Sequence, residues 1–296
     1  MINNIDLFKR LLDFYHISEE QYRSLIRPIT REDFLDGHSF NNVDEIVAIV
    51  KQSLENHEKI FIYGDYDADG VMSTSILVKT FQKQNYDVSY YLPNRYKDGY
   101  GLTMNKCHEI VEKGFGLVIC VDNGITCFEQ IDYLKANGVK VLVFDHHSVL
   151  NNQLPNADGI LHPSVSELGE TASSAGFVAF IFSINFLGYF DDYLATLAAI
   201  SLISDMMPLK SYNRNLLRLT FQNYKNQSYL PIDLLKEDEP FDEKTIGLKI
   251  APKINAIGRL IDGDDINRLV EYFTTDDESI IHQYINWISQ VNETRK

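Results

Sequence analysis

Residues 65–70 read Asp-Tyr-Asp-Ala-Asp-Gly, so Asp65, Asp67 and Asp69 occupy alternate positions. Another acid, Asp122, directly follows the apolar run 117–121, and residues 145–147 read Asp-His-His. Carboxylates brought together at this density repel one another unless cations lie among them or their pKa values climb. A set of carboxylate oxygens with some imidazole nitrogen suits Mn2+, Mg2+, Zn2+ or Fe2+, and the oxygen-rich balance favours Mn2+ or Mg2+. Two such ions can clamp the attacking and leaving oxygens of an in-line phosphoryl displacement. Phosphoester hydrolysis is therefore the chemistry these residues would serve. Gly70 would let backbone approach a phosphate or an ion closely, and Ser73, in the first turn of a following helix, would donate a hydrogen bond.

Each acid alone has an ordinary alternative, since acids after strands often cap helices or form turns, and Gly70 alone reads equally well as a turn glycine. The elements around them favour the metal reading. Residues 60–63, 88–92, 117–121 and 139–144 are short apolar runs, with a weaker one at 159–162. Helix-length stretches at 71–84, 103–113 and 126–137 lie between them, punctuated by Gly114, Gly116 and Gly138 as C-cap signals. This alternation predicts βαβ units and a parallel sheet buried on both faces. Asp65, Asp122 and Asp145 each end a strand, and the carboxyl ends of parallel strands share one edge, where open α/β sheets bind ligands. The three acids should converge there.

Residues 1–57 read as helical and polar, with a loop around 27–42. From about 171 the pattern turns helical again: 172–187 and 193–204 read as buried helices, 264–273 and 277–296 as amphipathic ones. The fold class is α/β, a mainly parallel doubly wound sheet flanked by helices, with a helical second half. Hydrophobic residues are 45% of the 296 and aromatics 12%, enough for a packed core. No apolar run reaches the ~18 residues of a membrane span, and the first ten residues lack a signal peptide's apolar block. Three cysteines, Cys107, Cys120 and Cys127, show no metal-type pairing, which fits a reduced, cytoplasmic setting. The formal net charge of -15 argues by itself against a polyanionic partner. Acids clustered where a metal would neutralise them, and solvated runs at 237–243 and 262–265, soften that objection.

These residues resemble the DHH phosphoesterases, and within them the RecJ-type single-strand exonucleases. Tyr63-Gly64-Asp65-Tyr66-Asp67-Ala68-Asp69-Gly70 looks like the first motif and Val121-Asp122-Asn123-Gly124-Ile125 the second. Asp145-His146-His147 is similar to the third, and Ser204-Asp205-Met206-Met207-Pro208-Leu209 to the fourth. Pro93-Asn94-Arg95, the segment Asp98-Gly99-Tyr100-Gly101-Leu102, the stretch Ala175-Gly176-Phe177-Val178-Ala179-Phe180, and residues 252–259 narrow the match to the RecJ type. The resemblance implies two divalent cations, Mn2+ before Mg2+, held by Asp65, Asp67, Asp69, Asp122, His146 and Asp205, with Asp122 bridging. It implies that Asp145 supports the cluster and that His147 stabilises charge or gives a proton to the leaving oxygen. Arg95, Asn255 and Arg259 would contact phosphate oxygens. By themselves, the arginines would read as surface ion pairs and Asn255 as a helix cap. His108 and His162 are left out of the set, and the aromatics of 86–100 are expected to pack on the sheet rather than stack on bases.

The residue pattern and the resemblance together divide the chain into an N-terminal helical extension over 1–57, a DHH catalytic domain over 58–276 with its α/β core ending near 165, and the start of a connecting helix over 277–296. The activity it implies is 5′-to-3′ hydrolysis of single-stranded DNA to mononucleotides, with no membrane partner. Hydrolysis of short RNA or cyclic dinucleotides is an alternative, as is a non-catalytic scaffold. RecJ-type chains normally continue beyond the connecting helix into a strand-gripping domain, which leaves polarity and affinity open.

Overall fold

The computed structural model describes residues 4–31, 40–166, 172–261 and 264–294. Helices α1 (Asn4–Phe14), α2 (Glu19–Ile26) and α3 (Val43–Glu55) precede the first strand. The strands are β1 (Lys59–Tyr63), β2 (Ser89–Tyr91), β3 (Phe115–Val121), β4 (Lys140–Phe144) and β5 (Gly159–Leu161), connected through α4 (Ala68–Gln82), α5 (Met104–Glu112) and α6 (Phe128–Ala136). They form one five-stranded sheet in the order β2-β1-β3-β4-β5, every neighbouring pair parallel.

The strands are apolar throughout because both faces are covered. Side chains alternate across a strand, and the two halves of each run enter different cores. Ile60 and Ile62 of β1, Leu117, Ile119 and Val121 of β3, and Leu142 and Phe144 of β4 meet α3, α4 and the helices that follow β5. Phe61 and Tyr63, Val118 and Cys120, and Val141 and Val143 face α5 and α6. The chain leaves β1 toward β2 and returns past it to β3, so the strand order reverses between β1 and β3, and a crevice opens at their carboxyl ends.

The second half is helical: α7 (Ala175–Leu187), α8 (Asp192–Ser204), α9 (Ser211–Tyr224), α10 (Leu230–Lys236), α11 (Glu243–Thr245), a π-helical turn (Ile246–Ile250) running into α12 (Ala251–Leu260), then α13 (Arg268–Thr274) and α14 (Glu278–Thr294). Buried almost completely, α7 and α8 lie against α4. The stretch expected as one helix over 264–273 begins instead as a 3-10 turn, Asp264–Asn267, and becomes α-helical at Arg268. Asn267 explains the break, because its Oδ1 accepts a hydrogen bond from the Leu92 amide at 2.8 Å and ties the turn to the end of β2. Val43, Ile46, Val47 and Val50 of α3 are buried in the main core. Parts of the 27–42 loop and of the acidic run 262–265 lie outside the described residues. Among those residues no helix is long and apolar enough to cross a membrane, and all three cysteines are free and buried.

Candidate metal centre

The loop after β1 is built by short-range hydrogen bonds. Asp67 caps α4, its Oδ1 accepting from the amides of Asp69 (2.9 Å) and Gly70 (3.0 Å). The helix-cap role is thus real for one oxygen, and the same carboxylate still lies within 4.8 Å of those of Asp65 and Asp122. Gly70 is required by a close approach, since a Cβ there would sit 2.4 Å from the Asp65 carbonyl oxygen. Asn255 of α12 holds the loop from outside, accepting from the Ala68 amide at 2.8 Å. Gly258, one turn on, would bring a Cβ within 2.2 Å of the Tyr66 carbonyl oxygen.

Asp69 faces the start of α7. Its Oδ2 accepts from the Ala175 amide and its Oδ1 from the Gly176 amide, both at 2.9 Å, with the Ser201 hydroxyl also donating to Oδ1. A helix N-terminus suits a carboxylate. Gly176 is small because a Cβ there would meet Ser201 Oγ at 2.3 Å. This contact explains why the Ala175-Gly176 pair and α8 belong to the site.

Asp122 follows β3 in the left-handed region, at φ 63°. Next to it, buried Asn123 donates to the carbonyls of Tyr63, Gly64 and Val121, fastening the ends of β1 and β3 together. His146 converges from the loop after β4. Its Nε2 lies 3.2 Å from Asp122 Oδ1, 3.5 Å from Asp69 Oδ2 and 3.6 Å from Asp205 Oδ2. Asp205 arrives from the C-cap of α8. One imidazole nitrogen surrounded by three carboxylate oxygens is a ready donor set, and Asp69, His146 and Asp205 form one group that could hold an ion while Asp65, Asp67 and Asp122 form another.

Asp145 plays a different part. Its Oδ1 accepts from the amides of His146 and His147 and pairs with His147 Nδ1 at 2.7 Å, while Oδ2 accepts from the Ile125 amide. Both oxygens are engaged, and Asp145, unlike Asp69, is in none of the groups among the described residues that could hold an ion, so it orients the loop and the His147 ring. Two residues given no role in the sequence analysis, Tyr100 and His162, complete this arrangement. The Tyr100 hydroxyl is 3.3 Å from each His147 ring nitrogen. Buried His162 pairs through Nε2 with the His147 carbonyl at 2.8 Å, and its Nδ1 accepts from the Ser164 amide. That pattern makes His162 an Nε2–H donor.

The electrostatics test whether this site fits cations. Burial, then the charge of Asp67, pushes Asp65 up to about 7. Burial drives Asp69 up to about 6 even against the pull of His146. Asp122 is raised well above the carboxylate range, by burial first and then by Asp69, Asp67, Asp65 and Asp145. Asp205 is raised by burial and Asp67. Buried Asp65 Oδ1 has no hydrogen-bond partner among the described residues. Four acids held above their ordinary range, one with an orphaned oxygen, have the donor chemistry of a divalent-cation site. Asp145 moves the other way: burial would raise it, but the His147 hydrogen bond and charge, aided by the amides of Ile125 and His147, hold it at about 2. His147 is raised in turn by its bond to Asp145, and burial lowers His162.

The four residues expected at the phosphate separate. Ser73 is fully buried and spends its hydroxyl on the Gly70 carbonyl, so it packs α4 rather than facing the crevice. Asn255 uses its side-chain carbonyl to hold the metal loop, the capping role noted as its ordinary alternative. The charges of Arg95 and Arg259 both bear on the Tyr66 phenol, with the Arg95 guanidinium 5.8 Å from that ring. Their segments are tied directly, Tyr96 donating to the Arg259 carbonyl at 2.8 Å and Asn94 to the Ile261 carbonyl at 3.1 Å.

Comparison with known proteins agrees with this geometry. The family model described as "DHH family, N-terminal domain" matches residues 59–202. The single-stranded-DNA-specific exonuclease RecJ of Bacillus subtilis (strain 168) is 34% identical over 273 residues, covering 89% of this chain and 34% of the relative. RecJ of Haemophilus influenzae is 31% identical, covering all of this chain and 54% of the relative. The chain thus spans between a third and a little over half of the length of these relatives. The crystal structure of exonuclease RecJ bound to manganese superposes with a TM-score of 0.78 at 30% identity, covering 86% of this chain and 66% of that one. With its motifs gathered at one sheet edge and this similarity across most of its length, the chain belongs to the DHH family.

Proposed function

We propose that this chain is the catalytic unit of a metal-dependent exonuclease that hydrolyses the phosphodiesters of single-stranded DNA from the 5′ end. The observation that carries the reading is the convergence of Asp69, Asp122 and Asp205 on His146 Nε2 within 3.2–3.6 Å, beside Asp65 and Asp67. Asp65, Asp67, Asp69, Asp122, His146 and Asp205 would hold two divalent cations, Mn2+ before Mg2+, in keeping with the manganese of the RecJ crystal structure. Bound there, the ions would supply Lewis acidity and neutralise charge developing on the phosphoryl group.

The chain's own groups supply the rest. Half-exposed His147 keeps its Nδ1 on Asp145, with the Tyr100 hydroxyl 3.3 Å from its Nε2. The Asp145 contact favours the protonated ring, which suits proton donation to the leaving oxygen. Arg95 and Arg259 would receive phosphate oxygens beside the metal loop, offsetting the acidic balance of the whole chain locally. Single-stranded nucleic acid, DNA before RNA, is the partner this arrangement would take.

The test is a panel of end-labelled single-stranded DNA, duplex DNA, short RNA and a cyclic dinucleotide, each incubated with the chain and Mn2+ or Mg2+. Release of mononucleotides from single-stranded DNA with Mn2+ supports the reading, and turnover of the cyclic dinucleotide alone overturns it.

A further inference from the structure

The end of α8 carries a residue that the fold alone does not call for. The helix closes in a Schellman motif: the Met207 amide donates to the Leu202 carbonyl at 3.0 Å and the Met206 amide to the Ile203 carbonyl at 3.2 Å. Met206 stands at the position after the C-cap, with φ 53°. Glycine is the usual residue there because a Cβ is disfavoured in the left-handed region. Met206 is also 89% exposed, the most exposed of the large hydrophobic side chains among the described residues. It therefore contributes almost nothing to the core and adds local strain. It directly follows Asp205, whose carboxylate lies 3.6 Å from His146 Nε2.

We propose that Met206 is a substrate-contact residue that packs its thioether against an unstacked nucleobase beside the metal centre. This rests on the phosphodiesterase reading above. A flexible, polarisable thioether contacts aromatic rings favourably and adapts to all four bases. In an internal duplex step, by contrast, both faces of a base are covered by its neighbours. Met206 would thus favour single strands without reading sequence, and without adding positive charge to an acidic chain.

The experiment compares wild type with Met206→Gly and Met206→Leu in Mn2+, on a twelve-nucleotide oligothymidylate and on an abasic strand of equal length and phosphate number. Wild type should prefer the base-bearing strand. Met206→Gly should reduce kcat/KM on oligothymidylate by about threefold to tenfold, the scale of a sulfur–ring contact, and shrink the preference over the abasic strand by the same factor. Met206→Leu should fall between. In thermal melts Met206→Gly should unfold at or above the wild-type temperature, because it relieves the left-handed strain. An unchanged preference in Met206→Gly, or an equal loss on both strands, overturns the role of Met206 while leaving the phosphodiesterase reading standing. A clear fall in melting temperature assigns the side chain to folding and also overturns it. Failure of wild type to cut either strand refutes the phosphodiesterase reading, and the Met206 proposal with it.

Discussion

Asp65→Asn isolates the electrostatic load that the acidic crevice carries in metal-free protein. Asp65 is only 4% exposed, and its carboxyl is pushed from an ordinary 3.8 to about 7 by burial and by Asp67. Because the folded-state value lies above the unfolded one, the contribution is fully favourable below pH ~4. It is lost as pH rises toward 7, where the unfolded chain has released a proton that the folded chain retains. The gap is about three pH units at ~1.4 kcal/mol each, or about 4 kcal/mol of destabilisation in the metal-free protein above pH 7. At ~2 °C per kcal/mol for a chain of this size, that is about 8 °C. Asparagine keeps the shape and removes the charge. In chelator, the melting temperature of Asp65→Asn minus that of wild type should be only about 2 °C at pH 4.5 and grow to about 8 °C by pH 8. Saturating Mn2+ should close the difference by stabilising wild type more. The measurement is a series of thermal melts from pH 4.5 to 8 with and without Mn2+. A difference that stays flat with pH, or a variant that melts lower at pH 8, would refute the idea that crowded charge strains this crevice.

Asp122→Asn should abolish Mn2+-dependent hydrolysis by at least about a hundredfold, as expected for a residue placed to serve both ions, and asparagine suits the left-handed φ of 63° better than alanine does. Rates within tenfold of wild type would remove Asp122 from the centre. Asp145→Asn should let the His147 pKa fall back toward 6.5, because the Asp145 bond is the first cause of its rise; an NMR titration of the imidazole in metal-free protein reads this directly, and an unmoved His147 contradicts the pairing. Gly258→Ala should destabilise by about 1–3 kcal/mol in urea melts, since the 2.2 Å approach of its Cβ to the Tyr66 carbonyl outweighs the ~1 kcal/mol of helix propensity gained. A gain in stability would show that α12 can draw back from the metal loop.

The strands were legible in the sequence because a sheet buried on both faces writes itself as unbroken apolar runs, such as residues 117–121 and 139–144. The convergence of Asp65, Asp122 and Asp145 then followed from strand direction alone. Roles within that set were harder to read. Nothing local distinguishes Asp145, whose oxygens are consumed by backbone amides and His147, from Asp122, whose oxygen faces His146. Ser73 misled because its hydroxyl could turn either to a ligand or to the Gly70 carbonyl one turn back. Tyr100, Ser201 and His162 reach the site only through tertiary contacts, and only Tyr100 lay in a stretch that resembled a motif. α3 lay within a stretch, 1–57, that reads as polar when taken as a whole, although Val43, Ile46, Val47 and Val50 form a one-sided apolar stripe within it.

The clamp on the metal loop spans 187 positions, from Ala68 to Asn255. On a ribosome adding about 5–20 residues per second, some 10 to 40 seconds separate the synthesis of its two halves. Through that interval the nascent chain holds the first three acids without the α12 helix that braces their loop. The acidic cluster is thus completed late, since Asp205 at the end of α8 and the bracing α12 both emerge after the sheet that carries its other members.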